Sequence, residues 1–406
     1  MRRNLMVRAV CLGLATGLAA AHAAEPPGPA APPVFKVEWN ARLRHEHVND
    51  DGFAASANAT TLRLRTGVRW QPSAAFVALI EGEGTASAGD HYNSGANRQT
   101  LYPGITDPTA AELNQLWARW QGAKGAVQLG RERLQLDDQR WIGNSGWRQN
   151  EQTFDAASFE WNPTAKVALR YHWLDRVHRA ATDHAVDPLA RERALYTHLF
   201  NAAYKWGAHR LSGYAYLHDD QDVATASTSS LGARWTTDTV KDGNGWGLLA
   251  EAARQRDYAD NPLSFSHGYW RVEPALTRHG VAYRAGWEHL GGDGRHALQT
   301  PLASLHAFNG WADRFTVTPA AGLEDRYLSA GGKFGHVTDA GPLAWVVAWH
   351  DYRADSGDAH YGREWNASLA LPLTKSLNGL VKVAQYRADD FGRDVGKVWV
   401  QVEWVQ

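Results

Sequence analysis

From about residue 34 onward the chain is written in period two. Phe35, Val37, Trp39, Ala41 and Leu43 alternate with Lys36, Glu38, Asn40, Arg42 and Arg44. Val167, Leu169, Tyr171 and Trp173 alternate with Lys166, Ala168, Arg170 and His172, and Trp365, Ala367, Leu369 and Leu371 with Glu364, Asn366, Ser368 and Ala370. Successive residues of a strand point to opposite faces. Here one face calls for hydrocarbon and the other for water. That pattern along a whole chain, with no helix-long apolar run beyond the N-terminus, predicts an all-β transmembrane antiparallel barrel.

The N-terminus agrees. Arg2, Arg3 and Arg8 precede an apolar stretch from Val10 to Ala21, and Ala21-His22-Ala23 offers a small-x-small cleavage pattern. Residues 1–23 therefore read as a secretory signal peptide, too short in its apolar core for a spanning helix. Residues 24–33 form a Pro/Ala-rich lead-in, and 34–406 the barrel. The chain's 1 cysteine, Cys11, lies within the signal, so no disulfide framework is expected. With 42 basic and 43 acidic residues overall, the balance excludes a general nucleic-acid binder. A negative mean hydropathy suits a barrel, because only alternate strand residues meet lipid. The 19 tryptophans suit interfacial girdles.

About eighteen strands are expected, centred near residues 40, 66, 80, 117, 128, 157, 170, 200, 214, 233, 251, 270, 285, 327, 348, 367, 384 and 400. Segments near 214, 270 and 327 are weakly patterned, and without them the count falls back to 16. Turn-rich short links (71–73, 121–125, 162–164, 206–208, 274–280) alternate with long ones (49–60, 85–111, 131–151, 175–193, 290–321). Outer-membrane barrels have short periplasmic turns and long extracellular loops, so the alternation sets the orientation and places both termini in the periplasm. Val398, Val400, Val402 and Trp404 form a terminal apolar comb of the kind barrel-assembly machinery reads.

Two stretches carry a resemblance: Leu129-Gly130-Arg131-Glu132-Arg133-Leu134-Gln135-Leu136-Asp137-Asp138-Gln139-Arg140 through Trp147-Arg148-Gln149-Asn150-Glu151-Gln152-Thr153-Phe154-Asp155-Ala156, and Gln299-Thr300-Pro301-Leu302 into His306-Ala307-Phe308-Asn309-Gly310-Trp311-Ala312-Asp313-Arg314-Phe315. Both resemble the alginate-export family of Gram-negative outer-membrane barrels. The resemblance implies a monomeric barrel, eighteen-stranded in the member that names the family, passing an anionic polysaccharide through an arginine-rich constriction, with many relatives only presumed porins. A full export system would add periplasmic partners.

On the polar strand faces lie Arg42, Arg44, Arg63, Arg65, Arg69, Arg119, Arg170, Arg234, Arg284, Lys382 and Lys397, with Glu81, Glu83, Glu251 and Glu288 among the acids. Arg131, Arg140 and Arg148 flank or occupy the long loop after the fifth strand, which is expected to fold inward, and Asp137 belongs with them. A guanidinium matches a uronate carboxylate bidentately, so these residues are candidates to line the pore and hold an anionic saccharide. The competing reading pairs them with wall acids across neighbouring strands, Arg63/Arg65 facing Glu81/Glu83. Trp147 and Trp311 are candidates to stack on sugars or to pack the loops against the rim, and His306 with Asp313 to form an acid–base pair.

A barrel hydrolase would need a serine–histidine or paired-acid constellation, and no spacing marks one. His178 and His184 in an acidic loop make a weak metal pattern. No cofactor, metal or catalytic residue is expected. The expected function is a passive outer-membrane channel for anionic polysaccharide or oligosaccharide, with a small-solute porin importing carboxylates as the alternative.

Overall fold

The computed structural model describes residues 34–406, so the expected signal peptide and lead-in lie outside the described residues. Eighteen antiparallel strands form one sheet: β1 (Val34–Asp50), β2 (Ala57–Ser73), β3 (Phe76–Ala88), β4 (Ala110–Gln121), β5 (Gly125–Glu132), β6 (Thr153–Thr164), β7 (Val167–His178), β8 (Glu192–Trp206), β9 (His209–His218), β10 (Thr228–Asp238), β11 (Gly245–Asp257), β12 (Ser266–Arg278), β13 (Val281–Leu290), β14 (Leu323–Thr338), β15 (Gly341–Arg353), β16 (His360–Pro372), β17 (Leu377–Ala388) and β18 (Val395–Val405). Each pairs with its neighbours in sequence, and β1 pairs with β18 from Asn40↔Val405 to Asp50↔Val395. The sheet is a closed cylinder without an edge. All eighteen expected centres fall inside strands, including those near 214, 270 and 327.

Closure leaves no strand edge to be paired from outside, which is what hydrocarbon demands of a spanning backbone. The side chains sort accordingly. Phe35, Val37 and Leu43 of β1 are half or more exposed on the outer face, whereas Arg42 and Arg44, one position away from Leu43, are buried inside. The burial is inverted relative to a soluble fold: large apolar residues such as Ile80, Leu231, Leu328 and Trp365 are exposed.

Connections alternate as expected. Links 74–75, 122–124, 165–166, 207–208 and 279–280 are tight, while 89–109, 133–152, 179–191 and 291–322 are long. The His279-Gly280 link has positive φ at both residues (50° and 79°), the type I′ geometry that matches strand twist. At the short-turn end the outer face carries an aromatic belt. Phe35 stacks on Trp70, Trp70 meets Phe76 edge-on, Phe76 meets Trp120, and Trp39 meets Trp404. This is the interfacial girdle of a membrane barrel.

Candidate functional site

Register fixes which polar residues share the interior. Arg42 lies opposite Arg63, Arg65 opposite Glu83, Gln115 opposite Glu81, Arg234 opposite Glu251, Arg271 opposite Glu288, and Lys382 opposite Trp399. Arg69, Arg119, Arg170, Arg284 and Lys397 occupy the same inward phase. Arg131 departs from the expected set. It pairs opposite Leu116 and Asp155 on the outer face, with Leu129, and donates to Asp155 at 2.8 Å. The adjacent Gly130, at φ 123°, packs its Cα against the Leu116–Trp117 backbone, and Gln128 and Glu132 take the inward positions.

The long loop 133–152 crosses the lumen from one wall to the other. Its first half is held by β8 to β13. Arg140 donates to Glu288 at 2.6 Å, to Thr300 at 3.1 Å and to Asn309 at 3.2 Å. Trp141 donates to Glu251 at 2.9 Å. Asp137 accepts from Asn201 at 2.9 Å, and Asp138 sits between Arg234 (2.5 Å) and Arg271 (3.0 Å). Its second half is held by β1 to β3. Arg44 donates to the Trp147 carbonyl at 2.7 Å, Gln149 to Thr61 at 2.8 Å, and Thr85 to Asn150 at 3.0 Å. Glu151 lies 3.4 Å from Arg65 and accepts from Arg133.

Loop 291–322 completes the plug. Asp313 receives Lys397 at 2.8 Å and Arg148 at 3.1 Å, and the Ala312 amide donates to Glu364 at 2.9 Å. The loops bond directly through the Gly143 amide and the Leu302 carbonyl, 2.8 Å. Loop 89–109 adds Asp107, which accepts from the Gln149 amide at 2.8 Å.

At the centre sits a cation among aromatic rings. Lys382 Nζ lies 4.1 Å from the centroid of Trp147 and 3.8 Å from that of Trp311. Trp147 stacks on His306 at 4.5 Å, and Arg44 covers it at 4.1 Å. The geometry thus matches the packing alternative for both tryptophans: their faces are occupied by protein cations. His306 is engaged at both nitrogens, by Asp313 at 2.7 Å and by Lys382 at 2.7 Å. That arrangement orients the loop and leaves no ring nitrogen to act on a substrate. Burial holds the imidazole well below its ordinary value. Burial alone would raise the Asp313 carboxyl, but His306, Lys397 and Arg148 pull it well below the usual carboxylate range. Burial likewise opposes the Glu151 charge, and Arg65 and Arg133 overcome it, lowering the group to about 2.

For the loop arginines the geometry matches the wall-pairing alternative. Arg140 and Arg148 both have wall carboxylates, because a loop laid against the interior meets the same inward acids as a strand does. Arg63 takes Glu403 at 3.0 Å in place of Glu81, which goes to Arg133. The more accessible interior cations lie toward the short-turn end: Arg69 with Glu38 and Arg119 with Glu160, 35% and 25% exposed against 2% for Arg140. Arg170 lies in register with Glu160, and Arg284 sits 3.6 Å from Glu273. Sequence reasoning missed Arg133, Asp138, Arg271 and Asn309. Arg271 was detectable by its phase within β12; Asn309 carried no local signal.

A family model described as alginate export matches residues 35–288. No curated protein sequence matches the chain. Among solved structures, the chain is similar to OccAB3 of Acinetobacter baumannii (TM-score 0.72, 12% identity, covering 92% of this chain and 99% of that one). It is similar to the outer membrane protein OpdK of Pseudomonas aeruginosa (0.69, 14%, 91% and 98%) and to OccK2 (OpdF) of the same organism in complex with glucuronate (0.67, 12%, 91% and 98%). At these identities the likeness concerns the fold.

Proposed function

Because this chain belongs to the alginate-export family and forms an outer-membrane channel, we propose that the channel passes anionic saccharides by exchange of carboxylates. The observation that carries this reading is the cross-lumen loop 133–152, tied to the walls by arginine–carboxylate pairs. A uronate entering past Arg69 and Arg119 offers each guanidinium the same ligand that the wall now supplies. Substituting one carboxylate for another costs little. A unit-charge pair at 4 Å is worth ~1 kcal/mol in water and ~4 kcal/mol at an effective dielectric of 20. Permeation needs sites that attract and release, which the partly exposed pairs of Arg69 with Glu38 and Arg119 with Glu160 provide beside the buried loop anchors.

Planar-bilayer conductance with added oligouronates tests it. Oligouronates should block or carry current in the wild type. Arg140→Glu with Arg148→Glu should move the reversal potential toward cations, and unchanged selectivity in both respects would remove these residues from the path. A second reading, a small-solute porin taking monomeric carboxylates, is favoured by the plug itself, two loops bonded to opposite walls and to each other across the lumen. It is also favoured by the glucuronate complex of the neighbour. Current block that weakens as the uronate chain lengthens would select it.

A further inference from the structure

At its external end the outer wall breaks its own pattern. Trp349 and Trp365 stand opposite each other on β15 and β16, facing outward. The row continues through Gln385 on β17, Gly396 on β18 and Asn49 on β1. Where the belt should carry bulk, Gly396 carries none, and the wall is hollowed into a groove of about 390 Å³. Its membrane-ward part is hydrocarbon, from Val347, Val383 and Val398 beside Trp365. Its external end is polar, with His47, Asn49, Asp51, Arg387 and Asp394.

Above the groove stands a row of arginines. Arg363 on β16 lies directly opposite Arg387 on β17, and Arg353 follows on β15. Their side chains are 57%, 69% and 49% exposed. Like charges facing across a ladder destabilise it unless something neutralises them. Asp351 accepts from Arg353 at 3.0 Å, from Arg363 at 3.2 Å and is met by His360 at 2.9 Å, and Asp394 accepts from Arg387. Asp389 is taken by His360, and Asp390 accepts from the His360 amide at 3.0 Å. Three guanidiniums thus share two carboxylates, each through one N–H, while about half or more of each side chain stays open on the outer face.

We propose that this groove binds a phosphorylated glycolipid of the outer leaflet, one acyl chain along Val383 and Val398 and a phosphate bridging Arg363 and Arg387. The site lies on the membrane face at the long-loop end, so its occupant comes from that leaflet. A phosphate fills two facing guanidinium forks at once. A zwitterionic lipid would bring an ammonium against the same row. The proposal concerns the wall, not the lumen, and stands apart from the choice of cargo.

Delipidated full-length protein in mild detergent is incubated with lipid A, dephosphorylated lipid A or phosphatidylglycerol, and retained lipid is counted by native mass spectrometry. Lipid A should be retained by the wild type and at least tenfold less by Arg363→Ala with Arg387→Ala. Gly396→Phe should abolish retention by filling the groove. A Cβ there meets only the end of the Gln385 side chain, at 3.2 Å, so the barrel accommodates it, and heat-modifiable gel migration with unchanged single-channel conductance confirms the fold. Equal retention of the dephosphorylated form, equal retention of phosphatidylglycerol, or full retention by Gly396→Phe would each overturn the assignment.

Discussion

The two anchorages of loop 133–152 differ in how well their charges are served. Against β8 to β13, Arg140, Asp138, Glu251 and Glu288 meet full sets of donors and acceptors. Against β1, the pairs stand off. Arg44 is 3.6 Å from Asp107, Arg148 is 3.6 Å from Glu46, and the facing atoms of all four find no hydrogen-bond partner in the protein. Arg63 Nε and Nη1 and Gln149 Oε1 nearby are in the same condition. An unmet buried polar group costs about 1–3 kcal/mol. The comparison teaches that one side of the plug is a rivet and the other a seam, where a mobile carboxylate or water finds donors ready.

The largest expected effect comes from breaking the rivet. Glu288→Ala strands the Arg140 charge in a buried site, a loss of about 3–5 kcal/mol for a broken buried pair. Lower thermal stability together with raised single-channel conductance would mark release of the first half of the loop. A wild-type melting curve would show that Thr300 and Asn309 suffice.

Acid sharpens the comparison from the other side. Glu151 has its carboxyl lowered from 4.5 to about 2, so its contribution is fully present above about pH 4.5 and is lost as pH falls toward 2. By the ordinary conversion this is on the order of 3 kcal/mol. Protease sensitivity of residues 133–152 should stay constant from pH 7 to 5 and rise below 4. A rise already complete at pH 5 would contradict the pairing with Arg65 and Arg133. The smallest effect belongs to Arg148→Ala, about 1 kcal/mol or less, since Asp313 keeps Lys397 and His306 and the Glu46 contact is loose. A loss as large as that from Glu288→Ala would erase the distinction between the two sides.

Strand number, strand order and the alternation of short and long links were legible because side-chain alternation and link length are local properties of the chain. The three weakly patterned strands show where that legibility thins. Tyr214, Tyr269 and Tyr327 point inward, so an aromatic stands where polarity is expected, and each hydroxyl donates to an inward acid: Glu251, Glu288 and Glu273. Arg131 was misplaced inward because a position next to a long loop does not reveal its phase; the register across β4 to β6 decides it. The partners of Arg140 and Arg148 were not legible either. They lie 148 residues away on β13 and 165 residues away in a second loop, and only closure of the cylinder brings them together.

The pairing of β1 with β18 has one more consequence. At the short-turn side β18 ends at Val405, paired opposite Asn40 of β1, so what defines this ring is cyclic order and not a starting point. A version rejoined there by a brief linker and reopened within 354–359 keeps every ladder contact. If such a rearranged gene still yields a working pore, the place where synthesis begins is incidental to the architecture.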